Sequence, residues 1–177
     1  MSKPSLLGIC GSLRAGSLNR KLMLEAGRLF DGAFRESDLR LPLYDGDLED
    51  AEGIPGAVQV LAGQITAADA VLIVTPEYNQ SFSGVLKNAL DWVSRTDGAP
   101  WRDKPVALVS AAAGRAGGAR AQSALRLAMT PFRPRLLTGP EVMIAGASKE
   151  FDTDGRLTNE RYMKSLRELM SRLAAEI

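Results

Sequence analysis

The feature that most constrains the fold is a short apolar run in the middle of the chain, Ala70–Thr75. Its sequence, Ala-Val-Leu-Ile-Val-Thr, is continuous and rich in β-branched residues. A run of this length and composition predicts a buried strand rather than a helix. Near-continuous apolar strands are typical of parallel sheets, because helices cover both faces of such sheets. The run therefore favours a layered α/β architecture.

Strand and helix patterns alternate along the rest of the chain. Strands are predicted at 5–10, 34–41, 70–75 and 106–110, with a fifth supplied by 136–137 and 142–144. Helices are predicted at 19–30, from Pro55 onward, at 84–93, 119–129 and 159–175, and an acidic, turn-rich loop at 42–52. Five alternations predict a doubly wound, five-stranded parallel sheet with helices on both faces. A length of 177 residues suits one domain, residues 1–177.

The sequence contains no histidine and only one cysteine. Without histidine, a Ser-His-Asp triad, a Cys-His nucleophile pair and a histidine-based zinc site are all excluded. One cysteine cannot form an internal disulfide, which favours a cytoplasmic location. If the protein is an enzyme, we therefore expect a bound cofactor, and no metal site, to supply the chemistry.

Charge and hydropathy narrow the possible partners. The net charge is +1, so the chain lacks the basic field that drives nucleic-acid binding. No apolar run approaches the ~20 residues that a membrane span needs. The start of the chain, Met1-Ser2-Lys3-Pro4, does not have the pattern of a signal peptide. We expect neither a nucleic-acid nor a membrane partner.

A small, polar loop at 11–17 follows the first predicted strand and leads into a helix. The N-terminus of a helix attracts anions, and Ser12, Ser17 and Asn19 add short side-chain donors. Arg14 adds a guanidinium fork that suits phosphate oxygens. The loop is neither a Walker A loop nor a dinucleotide fingerprint, so a monophosphate is favoured. The simpler alternative is that Ser17 only caps the helix and the loop is a surface turn.

Two more loops with distinctive compositions follow predicted strands. Residues 76–84 follow the third strand, and the glycine-rich residues 110–118 follow the fourth. In a doubly wound sheet, ligands bind at the carboxyl ends of the strands, where the strand order reverses. The three loops are therefore predicted to meet at one crevice.

The same loops carry a family resemblance. Three motifs along the chain together resemble the NADPH-dependent FMN reductase family. They are Gly11-Ser12-Leu13-Arg14-x-x-Ser17-x-Asn19-Arg20, then Pro76-Glu77-Tyr78-Asn79, then Gly84-x-x-Lys87-Asn88-x-x-Asp91-Trp92. The likeness runs from about Leu6 to the last helix. It implies a flavodoxin-like fold that binds FMN non-covalently and takes hydride from NADPH or NADH by a ping-pong mechanism. It also implies a quinone, azo, metal-oxyanion or flavin acceptor and a homodimer or homotetramer.

The resemblance also implies roles for individual residues, none of them catalytic, because N5 of the flavin carries the chemistry. Residues that would hold the FMN phosphate are Ser12, Leu13, Arg14, Ser17, Leu18 and Asn19. Residues that would run along the flavin ring and its ribityl chain are Pro76, Glu77, Tyr78 and Asn79. Residues that would approach the pyrimidine end of the ring are Ser110, Ala111, Gly114 and Gly117. Arg14 and Arg115 are further expected to attract the phosphates of the nicotinamide cofactor.

Alternatives remain open from the sequence. A flavodoxin-type electron carrier would share the fold, although such carriers are typically acidic and this chain is near neutral. A ligand sensor on the same fold is another possibility, since fold alone does not fix function. Several of the highlighted residues also have simpler structural interpretations. Glu77 would be solvated, Tyr78 would pack on Phe82, and Cys10 would be a buried, inert thiol. Asn88 would anchor a neighbouring segment, and Trp92 would lie in the core or at a subunit interface.

Overall fold

The computed structural model describes residues 3–177. Met1 and Ser2, which belong to the predicted domain and to the N-terminal segment discussed above, lie outside the described residues. The strands are β1 (Ser5–Cys10), β2 (Ala33–Glu36), β3 (Ala70–Thr75), β4 (Pro105–Ala111), β5 (Arg135–Leu136) and β6 (Val142–Ile144). The helices are α1 (Leu18–Leu29), α2 (Gly46–Glu52), α3 (Gly56–Ala67), α4 (Gly84–Val93), α5 (Ala119–Met129) and α6 (Glu160–Ala175).

The strands form one parallel sheet in the order β2-β1-β3-β4-β5. This arrangement confirms the predicted doubly wound α/β fold, and the strand order reverses between β1 and β3. The fifth position is divided between two short strands. Strand β5 pairs with the start of β4, and β6 pairs with its end. Pro140 lies between the two strands and, having no N–H, cannot donate to a continuous ladder.

Helices cover both faces of the sheet, as predicted. One core cluster joins α1 and α6 to the sheet, through residues that include Leu22, Met23 and Leu166. The other joins α3, α4 and α5 to the opposite face, through residues that include Leu61, Leu86 and Leu125. All six residues of β3 are buried because the strand lies in the middle of the sheet under both layers.

Two predicted elements differ from the structure. The stretch 42–52 was predicted as a loop, but Gly46–Glu52 forms the short helix α2, capped by Asp45, whose side chain accepts from the N–H of Asp47. Acidic residues in its first turn stabilise the helix, because their negative charges lie near the positive end of the helix dipole. Strand β2 was predicted to reach residue 41 but ends at Glu36. After it, Ser37 donates to the carbonyl of Gly8 through both its N–H and its hydroxyl.

Within residues 3–177, no helix combines the length and the apolar character that crossing a bilayer requires.

Candidate active site

A cavity of about 410 Å³ lies where the loops after β1, β3 and β4 come together. This confirms that the three distinctive loops meet at one crevice. The cavity is lined by Ser12, Arg14, Gly16, Ser17, Leu18, Asn19, Pro76, Glu77, Tyr78, Ala111, Ala112 and Ala113.

The first loop presents a helix N-terminus to this cavity. The hydroxyl of Ser17 accepts a hydrogen bond from the N–H of Arg20 at 3.2 Å, so Ser17 does cap α1. Among the described residues, the N–H groups of Leu18 and Asn19 have no acceptor. The cap therefore coexists with two free donors at the positive end of the helix dipole, which is the arrangement that binds a phosphate.

Arg14 adds charge to the same end of the cavity. Its side chain is exposed, and it takes part in no ion pair between residues 3–177. An unpaired guanidinium beside a free helix N-terminus favours a phosphate group over a neutral ligand.

The side chain of Asn19 has a structural role in addition to the phosphate contact predicted for this residue. Its side chain is buried, and its Nδ2 donates to the carbonyl of Ala111 at 2.9 Å. The N–H of Ala111 donates back to Asn19 Oδ1, also at 2.9 Å. The amide therefore joins the first loop to the end of β4, and only the backbone N–H of Asn19 is left for a phosphate.

The second loop is a tight two-residue hairpin. Tyr78 and Ser81 exchange two backbone hydrogen bonds of 2.9 and 3.0 Å. Between them, Asn79 and Gln80 have φ values of 49° and 65°. Left-handed backbone is unfavourable for residues with a Cβ, and such conformations are concentrated at functional sites. The turn holds Tyr78 against the cavity, while Asn79 lies outside its lining.

Glu77 is not the solvated carboxylate that the simpler interpretation assumed. Its side chain is only 15% exposed, and its Oε2 accepts from the N–H groups of Arg120 and Ala121 at 3.1 and 3.4 Å. Gly118, the residue before α5, has no side chain with which to cap that helix. Glu77 supplies the missing cap from the second loop and so fixes this loop to α5.

We expect Glu77→Ala to lower the free energy of unfolding by about 1 kcal/mol, because the first N–H groups of α5 lose their acceptor. FMN should also bind more weakly, since the second loop loses its anchor. Glu77→Gln keeps a carbonyl acceptor and should lose less. Urea unfolding and FMN fluorescence titration measure the two effects. Glu52→Ala, at an exposed position of α2, is the control, and equal losses in both alanine variants would contradict the capping role.

The third loop is shaped by Ser110 and two glycines. Ser110 is buried; its hydroxyl donates to the carbonyl of Gly117 at 2.6 Å and accepts from Gln122 Nε2 at 2.9 Å. Gly117 has φ +60°, and a Cβ there would lie 2.6 Å from backbone atoms of Met143. Ser110 and Gly117 are thus required for the path of the loop and do not line the cavity.

Nine of the fourteen predicted site residues line the cavity. The five that do not are Leu13, Asn79, Ser110, Gly114 and Gly117. Three further lining residues, Gly16, Ala112 and Ala113, are not among the site residues named individually from the sequence. The sequence feature that could have identified them as lining residues is their position inside the first and third loops. Arg115 is exposed and lies outside the lining. Among residues 3–177, no group of three or more Cys, Asp or Glu side chains could hold a metal ion.

The fold and the site define a flavodoxin-like protein with a free helix N-terminus at the carboxyl edge of its sheet. The chain belongs to the NADPH-dependent FMN reductase family, whose sequence model matches residues 4–149. It is therefore an FMN-dependent NAD(P)H oxidoreductase.

Individual relatives agree with this assignment. An NAD(P)H-dependent FMN reductase of Pseudomonas aeruginosa is 44% identical over 171 residues, covering 95% of this chain and 92% of that protein. A quinone reductase of Escherichia coli is 39% identical over 145 residues, covering 80% and 77%. Among solved structures, the flavoenzyme FerB of Paracoccus denitrificans, an NAD(P)H:(acceptor) oxidoreductase, superposes with a TM-score of 0.87 at 34% identity, covering 97% and 96%.

Proposed function

We propose that this enzyme passes electrons from NADPH or NADH through FMN to a quinone by a ping-pong mechanism. Azo compounds, metal oxyanions and free flavin are further candidate acceptors. The observation that carries the proposal is the cavity at three strand ends, with two free N–H groups and Arg14 at one end. The quinone is supported by the relatives named quinone reductase and, at 39% identity over 171 residues, 2-hydroxy-1,4-benzoquinone reductase of a Burkholderia species.

The residues of the cavity fit FMN. The N–H groups of Leu18 and Asn19 and the guanidinium of Arg14 would hold its phosphate. Pro76 and Tyr78 would form one wall for the ring, and the small side chains of Ala111–113 let a planar group lie close to the end of β4. When bound, FMN supplies the redox chemistry, accepting hydride from NAD(P)H and giving up two electrons to the acceptor.

The protein's contribution is to bind and orient the reactants. No histidine is present to act as a base, and the carboxylate of Glu77 is engaged at α5. The side chains of the cavity therefore position the ring and its partners without moving a proton. We further propose that residues 1–177 act as one FMN-binding domain, in the cytoplasm, as a homodimer or homotetramer. This proposal follows from the family resemblance and the single cysteine.

Initial-rate kinetics test the mechanism. With 1,4-benzoquinone as acceptor and several fixed NADPH concentrations, a ping-pong enzyme gives parallel double-reciprocal lines. Intersecting lines would overturn the proposal, because they require both substrates to be bound together. The same assay without added FMN is the control: activity that needs FMN in large molar excess over the enzyme would make FMN a substrate rather than a resident cofactor.

A further inference from the structure

A second cavity, of about 500 Å³, lies on the other side of the first loop. It is bounded by that loop and by the segment that follows β2. Ser12 and Arg14 line both this cavity and the one assigned to FMN. A ligand longer than FMN could therefore extend from one cavity to the other across the first loop.

The lining of the second cavity is rich in arginine. Three guanidinium groups line it, those of Arg14, Arg20 and Arg40, against the carboxylates of Glu36 and Asp38. Arg20 makes two hydrogen bonds to Glu36, of 2.6 and 2.7 Å, so the negative charge of Glu36 is paired. Arg14 has no carboxylate partner among the described residues. The phosphate of FMN would match the charge of Arg14, and Arg40 is then the arginine of this cavity whose only partner is an exposed carboxylate.

Arg40 is the arginine of this cavity that can most easily exchange its carboxylate partner for a ligand. It lies 3.1 Å from Asp38, but both side chains are 67% exposed. Exposed pairs of this kind contribute only about 0–1 kcal/mol, because water and salt screen them. A phosphate that approaches Arg40 can replace Asp38 at little cost, and a doubly charged phosphate is the stronger partner.

We propose that this second cavity binds the adenosine end of NADPH and that Arg40 holds its 2′-phosphate, while Arg14 stays with the phosphate of FMN. The inference rests on the proposed function, since it requires the nicotinamide to reach the FMN cavity. In doubly wound sheets that bind dinucleotides, an acidic residue after the second strand accepts from the ribose 2′-hydroxyl, whereas a nearby arginine accommodates a 2′-phosphate. Here Arg40 is the arginine near the end of the second strand, and its charge favours NADPH over NADH.

Selectivity between the two nucleotides tests the proposal. The FMN-loaded enzyme and its Arg40→Gln variant are compared in kcat/KM for NADPH and for NADH. Loss of one charge-assisted contact should lower the NADPH/NADH ratio of kcat/KM about tenfold, mainly through KM for NADPH. Arg35→Gln removes the same charge from an exposed position on β2 that lines a different cavity, and should leave the ratio unchanged. An unchanged ratio in Arg40→Gln, or an equal fall in both variants, would overturn the inference.

A binding measurement separates this inference from the proposed function. Adenosine 2′,5′-bisphosphate is titrated calorimetrically into the FMN-loaded protein, alongside adenosine 5′-monophosphate and inorganic phosphate. We expect the bisphosphate to bind most tightly and to bind Arg40→Gln about tenfold more weakly. Inorganic phosphate binding as tightly as the bisphosphate would reduce the cavity to a general anion site and overturn the inference. Failure of the enzyme to oxidise either nucleotide would instead reject the proposed function.

Discussion

Glu25→Gln is expected to lower the free energy of unfolding by about 3 kcal/mol, because it breaks a buried ion pair. The side chain of Glu25, on α1, is 1% exposed. Its carboxylate accepts from Arg156 Nε at 2.8 Å and Nη2 at 3.0 Å, and from Arg28 Nη1 at 3.2 Å. These bonds fix the turn before α6 to α1, so their loss should loosen the packing of α6.

Urea unfolding of the apoprotein measures this loss as a lower midpoint at constant slope. Arg28 and Arg156 are about half exposed, so water can solvate both guanidinium groups in the variant. The expected loss of unfolding free energy is therefore at the lower end of the range for broken buried ion pairs. Glu168→Gln, at an exposed position of α6, is the matched control and should change stability by less than about 0.5 kcal/mol. Equal midpoints for the two variants would contradict a structural role for the Glu25 cluster.

Asn19→Leu is expected to have the second large effect. Leucine has a similar size but cannot bond to the backbone of Ala111, so a buried N–H and a buried carbonyl lose their partners. Each orphaned group costs about 1–3 kcal/mol, and we expect a total loss of about 2–4 kcal/mol in unfolding free energy. FMN affinity should fall about tenfold or more, as for other residues that act by orienting ligand-binding groups.

Urea unfolding and fluorescence titration with FMN measure the two consequences separately. Gln64→Leu makes a comparable amide-to-leucine change on α3, away from the FMN cavity, and serves as the control. If Asn19→Leu weakened FMN binding without a loss of stability, Asn19 would be a direct ligand and not the clamp described here.

Local patterns were sufficient to predict the sheet and the crevice at which the three loops meet. The apolar run Ala70–Thr75 is buried throughout because it is the central strand, and its composition already indicated this. The polar loop at 11–17 was recognisable because it joins an apolar strand to an amphipathic helix. The cap is present, since Ser17 accepts from Arg20, and two further N–H groups are left without an acceptor, so the phosphate site stays a prediction.

The roles of single side chains were harder to predict because they depend on distant partners. Asn19 bonds to a residue 92 positions away, and Glu77 to one 43 positions away. Neither spacing leaves a signal in the sequence, so both polar residues in a ligand-binding loop were interpreted as ligands or as solvated groups. Ser110 is assigned to the flavin by the family resemblance, which gave no indication that its hydroxyl bonds to Gly117 and Gln122. Helix α2 was missed because its acidic, glycine-containing sequence is equally typical of a surface loop.

The central claim is that the cavity at the ends of β1, β3 and β4 holds FMN where NADPH can reduce it. The most direct test is anaerobic titration of the FMN-loaded protein with NADPH while the visible absorbance of the flavin is followed. We expect one equivalent of NADPH to remove the absorbance completely, in a single two-electron step. A flavin that stays bound and oxidised in the presence of excess NADPH would contradict the account and indicate an electron carrier that needs a separate reductase.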